Sequence, residues 1–221
     1  MLILTLVASL FVTLALGFYV LVGAPHQAIN RAFAAFVGLM ILWIAKDLAF
    51  WGFHDAGAEA DWWATASFLI GIGVQFSLLL FSQVFPENNP PDWRRIGLYT
   101  LPLVALLPLL FRGMFWEYIG FHKAAGGEQF EVRLRPAAFV FGAYNYTILG
   151  LGVARLAGKY RQSRGTLRGQ QVGAVLLGVA VTGVLVTIAY IILPLAGIYE
   201  LMPYGSVFIV TGTLIYAYAI S

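Results

Sequence analysis

The sequence predicts an all-α integral membrane protein, a bundle of seven transmembrane helices with its N-terminus outside and its C-terminus in the cytoplasm. Three observations carry this reading. Of 221 residues, 61% are hydrophobic and 10% charged, against roughly 45–50% and 25% in an ordinary soluble domain. The mean hydropathy is +0.84, so most of the chain needs a low-dielectric solvent. Seven apolar runs, each long enough to cross ~30 Å of hydrocarbon at 1.5 Å per residue, are separated by polar breaks across which Lys and Arg are unevenly shared.

The spans fall at 2–22, 31–53, 62–85, 95–112, 136–157, 170–194 and 199–220. The first has no Lys or Arg ahead of it and six spans behind it, so it reads as a retained helix, not a cleaved signal. Ala24-Pro25-His26-Gln27 ends it, and His54 to Asp61 ends the second. The third closes on Pro86-Glu87-Asn88-Asn89-Pro90-Pro91, and the fourth leads into an outer segment, 113–135. There Phe130, Val132 and Leu134 alternate with Glu131, Arg133 and Arg135 after a Gly126-Gly127 turn, which predicts a short extracytoplasmic β-hairpin over the bundle mouth. Lys159 to Arg168 follows the fifth span and Pro194 to Glu200 the sixth. No internal repeat is visible, and residues 1–221 read as one membrane domain.

Orientation follows from the enrichment of cytoplasmic loops in Lys and Arg. With the N-terminus outside, the inner breaks hold Arg31, Arg94, Arg95, Arg155, Lys159, Arg161, Arg164 and Arg168, and the outer ones Arg112, Lys123, Arg133 and Arg135. Acids divide the other way, with Asp55, Glu59, Asp61, Glu117, Glu128, Glu131 and Glu200 outside and Glu87 and Asp92 inside. Trp51, Trp62, Trp63, Trp116 and Tyr118 at the outer ends, and Trp93 and Tyr160 at the inner ends, fit interfacial aromatic belts.

Composition excludes much chemistry. The chain has no cysteine and three histidines, so no disulfide framework or thiolate metal site is available, and no metal or other cofactor is expected. His26, His54 and His122 all fall in loops, which leaves no axial pair for haem. His54 and His122 with Asp55 or Asp61 are read as surface residues before metal ligands. No zinc-protease helix, nucleophile elbow or phosphate loop is present, and no catalytic residues are expected. A retinal Schiff base needs a lysine, and the seventh span has none. The net charge of +3 resides in short loops, where it reports topology and no nucleic-acid partner.

Lys46 and Asp47 are the ionisable residues deep inside a span, where each costs roughly 2.5–3.5 kcal/mol on insertion scales. Lys46, about 10 Å below the outer helix end, has a stem long enough to snorkel. Asp47 points about 100° away around the helix and needs a donor from another helix, so a structural ion network and a ligand or proton site both stand. At the same depth lie Ser67 and Gly71 on the third span, Tyr144 and Asn145 on the fifth, and Thr187 and Tyr190 on the sixth, with Tyr204 near the mouth. Ser67, Gly71, Gln75 and Ser82 share one face of the third helix, which is expected to look inward. Lys46, Asp47, Ser67, Gln75, Tyr144, Asn145, Thr187 and Tyr190 are therefore the candidate ligand-binding residues, with packing through small and polar residues as the competing reading. Gly142, Gly150, Gly152, Gly173, Gly178, Gly183, Gly205 and Gly212 in the last three spans are read mainly as packing positions.

Several segments carry a family resemblance: Asn30-Arg31-Ala32-Phe33, Phe81-Ser82-Gln83-Val84-Phe85-Pro86-Glu87, the basic stretch Lys159 to Gln170, Leu193-Pro194, Pro203-Tyr204-Gly205, and Tyr216-Ala217-Tyr218-Ala219-Ile220. Over essentially its whole length the chain resembles the N-terminal seven-transmembrane-helix sensor region of bacterial histidine kinases. The resemblance implies a multi-pass sensory module of the bacterial cytoplasmic membrane that belongs to a two-component system. Its last helix would lead to a kinase-type output domain, in cis or in trans, and a homodimer is implied. The 221 residues contain no phosphoacceptor histidine region or ATP-binding domain, so no kinase activity is expected in them. Together with the outer polar layer, this predicts a sensor that binds a small or lipid-like ligand in the outer half. A small transporter or proton-coupled carrier, and an accessory subunit of a membrane complex, are the alternatives.

Overall fold

The computed structural model describes residues 1–53, 60–124 and 127–220, with side chains at 1–52, 60–121 and 130–219. Its long helices are α1 (Leu2–Gly23), α2 (Ala28–Phe53), α3 (Asp61–Val84), α4 (Trp93–Phe111), α5 (Pro136–Gln162), α6 (Leu167–Thr187) and α7 (Gly205–Ile220). Between α4 and α5 lie strands β1 (Trp116–Ala124) and β2 (Gly127–Leu134). Among the described residues six helices are long and apolar enough to cross a membrane, the sixth running Leu167–Leu195.

Neighbouring helices close a ring in the order α1, α2, α3, α5, α6, α7 and back to α1, with α4 outside it against α3 and α5. Only Leu106 and Leu110 of α4 are buried, and Pro102 and Pro108 deny it two backbone donors. Two apolar clusters fill the ring. One, around Phe33, Phe36, Phe81, Phe85, Leu156 and Val175, serves the α3–α4 and α5–α6 turns. The other, around Phe50, Trp63, Phe115, Trp116 and Phe141, serves the hairpin end.

Strands β1 and β2 pair antiparallel from Trp116↔Leu134 to Ala124↔Gly127, with an irregularity between Trp116 and Tyr118. Phe121 and Phe130 lie 5.1 Å apart and reach the ring of Phe50 at 5.9 and 5.8 Å, which seats the hairpin on the end of α2. The Gly126 part of the expected turn lies outside the described residues.

At the opposite end, polar side chains hold the turns. Asp92 caps α4 by accepting from the Arg95 N–H at 3.2 Å, and Thr166 caps α6 by accepting from the Gly169 N–H at 3.1 Å. Asn88 Oδ1 accepts from the Ile29 N–H at 3.1 Å in the first turn of α2, and Asn30 Nδ2 donates to the Val20 carbonyl of α1 at 2.8 Å. Lys159 of α5 donates to Glu87 at 2.7 Å and to the carbonyls of Gln83 and Phe85. One lysine thereby satisfies three acceptors at the end of α3.

The structure corrects three expectations. The last helix begins at Gly205 and not near 199, because Gly197 (φ +78) turns the chain and Pro203 occupies a single 3-10 turn, Met202–Tyr204. The sixth span starts earlier, at Leu167, and is not uniformly α-helical, since Ile188–Ile192 form a π-turn in which the Leu193 N–H donates to Ile188. Pro194 follows directly. Its missing donor and its ring's clash with the carbonyl four residues back favour that local widening. Trp63 and Trp116 are buried and not in an interfacial belt, because their indole N–H groups bond carboxylates, while Trp62 and Trp93 are exposed.

Candidate functional site

Asp47 sits on α2 with no exposed surface and Lys46 with 6%. Lys46 does not snorkel: its ammonium folds back onto the carboxylate of its neighbour Asp47. Four flexible bonds let it span the ~100° between adjacent helix positions. The ammonium also lies 4.7 Å from the ring centres of both Trp43 and Trp63, a cation held between two indole faces.

The remaining valences of Asp47 go to other helices. Trp63 Nε1 of α3 donates to Oδ1 at 2.8 Å, and the Tyr190 hydroxyl donates to Oδ2 at 2.7 Å. Trp43 Nε1 in turn donates to the Tyr190 hydroxyl at 3.2 Å, the two rings meeting edge to face at 82°. Tyr190 is the middle residue of the π-turn. The inserted residue in α6 therefore belongs to the segment that binds a carboxylate of α2. Three donors satisfy the buried carboxylate, and the ammonium that faces it is held by that bond and by the two indole faces, the kind of pairing under which a buried charge is tolerated.

Beside this cluster lies a cavity of about 590 Å³, within the range of small-molecule sites. Trp43, Trp63 and Tyr190 line it, but Lys46 and Asp47 stand behind those three rings. Ser67, Gly71 and Gln75 present one face of α3 to it, and Gly71 makes room for the Trp43 indole, which a Cβ there would meet at 3.2 Å. Asn145 and Tyr146 of α5 and Thr182 and Thr187 of α6 line it too, with a Tyr146–Thr187 hydroxyl bond of 2.7 Å between the helices. Ile119 and Val132 of the hairpin cover one end, and Met202, Ile209 and Tyr216 bring the last helical segment to the wall.

Of the sequence candidates, Ser67, Gln75, Asn145, Thr187 and Tyr190 reach the cavity and Lys46 and Asp47 stand behind it. Tyr144 does not join them: its hydroxyl donates to the Tyr99 carbonyl of α4 and fastens that peripheral helix. Ser82 faces inward but bonds the Leu79 carbonyl at 2.7 Å. Sequence reasoning missed Trp43, Trp63, Thr182 and Tyr216. Trp63 was assigned to the interface, and the others have ordinary core composition. A tryptophan three residues before a membrane-embedded lysine was the available signal for Trp43.

The glycines divide into two groups. A Cβ at Gly178 would meet the Tyr216 ring at 2.6 Å, and Cβ atoms at Gly205 and Gly212 would overlap Tyr190 and Thr182. Gly142, Gly150 and Gly183 have open space instead, and Gly142 and Gly183 line the cavity.

Among the described residues no group of three His, Asp or Glu could hold a metal. Asp61 accepts from Trp116 Nε1 at 2.8 Å. His54, Asp55 and the His122 side chain lie outside the described residues. On the hairpin, Arg133 bonds Glu131 at 2.6 Å, which raises its guanidinium further above its ordinary range.

Neither a curated protein nor a solved structure matches this chain. The model of the N-terminal 7TM region of histidine kinase matches residues 5–221. The chain is a multi-pass membrane protein and belongs to that family, the N-terminal 7TM region of histidine kinases.

Proposed function

We propose that residues 1–221 form one non-catalytic sensory domain of the bacterial cytoplasmic membrane, with α7 as its seventh span. A ligand in the cavity biases α7, which leads to a cytoplasmic kinase-type output domain in cis or in trans. The observation that carries this is the shared wall. Met202, Ile209 and Tyr216 face the same space as Trp43 and Asn145, so an occupant touches α7 directly. A tenfold change in signalling state requires about 1.4 kcal/mol of differential affinity between two arrangements of α7, the scale of a few apolar contacts.

A carrier would have to bring Lys46 and Asp47 to its cargo, yet Trp43, Trp63 and Tyr190 wall them off. The two readings separate experimentally. Spin labels at the exposed Leu98 of α4 and Leu214 of α7 report their separation in wild type and in Gly183→Phe, whose ring fills the cavity. A shifted distance distribution is expected. An unchanged one overturns the coupling, and proton flux through reconstituted vesicles would favour the carrier.

A further inference from the structure

We infer that the cavity takes an uncharged amphiphile, drawn sideways from the bilayer between α5 and α6. This rests on the cavity being the ligand site proposed above. The charge class comes from the lining, which among the described residues contains no Asp, Glu, Lys, Arg or His. Lys46 and Asp47, the ion pair behind the wall, neutralise each other. An ionised headgroup would enter this space without a counter-charge, and burial of an unpaired charge is strongly unfavourable.

The same wall is not purely hydrocarbon. Asn145 Oδ1 on α5 is buried with no hydrogen-bond partner, and Asn145 lines the cavity. Buried polar atoms are rarely left so. A ligand hydroxyl or amide N–H beside Asn145 donates to that oxygen without bringing charge, while its hydrocarbon body lies along the apolar wall formed by Phe36, Leu78 and Phe141.

The route comes from residues that both line the cavity and are exposed on the outside of the bundle. They are Leu134 at the end of β2, Phe139, Ala143 and Tyr146 on α5, and Ile191 and Leu195 in the continuation of α6. Those on α5 and beyond α6 make the rim of an opening toward lipid, with Leu134 at its hairpin edge, whereas Ile119 and Val132 line the cavity from the hairpin without being exposed. Gly142 and Gly183 widen the gap: a Cβ at either meets nothing within 4 Å. The Tyr146–Thr187 bond spans α5 and α6 beside it and must yield for a wide ligand to pass.

The test uses the full chain in phosphatidylcholine vesicles with three dibrominated stearyl probes: the alcohol, the carboxylate and the trimethylammonium. Bromine quenches the tryptophans, of which Trp43 and Trp63 line the cavity. The alcohol is expected to give a saturable quenching component at about tenfold lower mole fraction than either charged probe. Gly183→Phe and Gly142→Leu should each remove that component, and Asn145→Leu should weaken it for the alcohol. If a charged probe binds as tightly as the alcohol and the two glycine variants still block it, the uncharged class is overturned while the cavity remains the ligand site. If no probe shows a saturable component, both readings fall. Ala143→Trp at the rim should slow association from vesicles several-fold with little change at equilibrium, and an unchanged rate overturns the lateral route.

Discussion

Gly205 lies directly beneath the ring of Tyr190, so the first residue of α7 is in van der Waals contact with the tyrosine that bonds Asp47. A side chain at 205 cannot coexist with that ring. Gly205→Ala should therefore cost about 1–3 kcal/mol through overpacking, read as a lowered unfolding midpoint in detergent. Tyr190→Phe keeps the ring and removes its hydrogen bond to a carboxylate, a loss of about 1.5–3 kcal/mol. A neutral Gly205→Ala would show that α7 can move away from Tyr190 without penalty.

The buried pair should behave as a unit. Asp47→Leu strands an ammonium and two donors, at a cost of about 3–5 kcal/mol, whereas Lys46→Met with Asp47→Leu removes both charges and should recover much of it. Thermal unfolding of the two single variants and the double completes the cycle. Additive losses would mean that the bonds of Asp47 to Trp63 and Tyr190, and not Lys46, dominate.

Glycine-to-alanine exchanges should sort by the space found at each position. Gly150→Ala and Gly183→Ala add a methyl where nothing lies within 4 Å, and should stabilise by about 0.5–1 kcal/mol from helix propensity. Gly178→Ala and Gly212→Ala push on Tyr216 and Thr182 and should lower stability. The same scan in one detergent checks both signs.

Lys159 clamps the end of α3 through Gln83, Phe85 and Glu87. Lys159→Met should raise amide exchange across 85–92 by about tenfold, a local opening easier by ~1.4 kcal/mol, with little change in the hairpin. Uniformly faster exchange would instead make this lysine a determinant of global stability.

The absence of cysteine makes orientation directly measurable. Glu131→Cys on β2 should react with an impermeant maleimide in intact cells and Arg164→Cys, in the α5–α6 turn, only after lysis. The reverse pattern would place the hairpin in the cytoplasm.

What the sequence determined by itself is what depends on solvent and on local chain chemistry. Apolar runs of membrane length located α1 to α6 to within a few residues, because an apolar span in hydrocarbon must satisfy its own backbone groups and the helix does so within the segment. The alternation at 130–134 coincides with β2, and the inward face Ser67, Gly71, Gln75 was legible because helical period alone places those residues together. Tertiary structure decided the partners. That Lys46 turns back onto its neighbour, that Trp63 leaves the interface for Asp47, and that Tyr144 serves α4 while Tyr190 serves α2 all depend on which helices adjoin. The residues that carried the family resemblance show the same division. Asn30, Gln83, Glu87 and Lys159 read as loop and helix-end signatures, yet together they tie the helices at one end, and Pro194 and Gly205 shape the contact of Tyr190 with α7. Hydrophobic patterning sets how many helices form and where they lie, but it is nearly degenerate in their rotation within lipid. Hydrogen bonds and close approach at small residues resolve that rotation, and both exist only once the ring has closed.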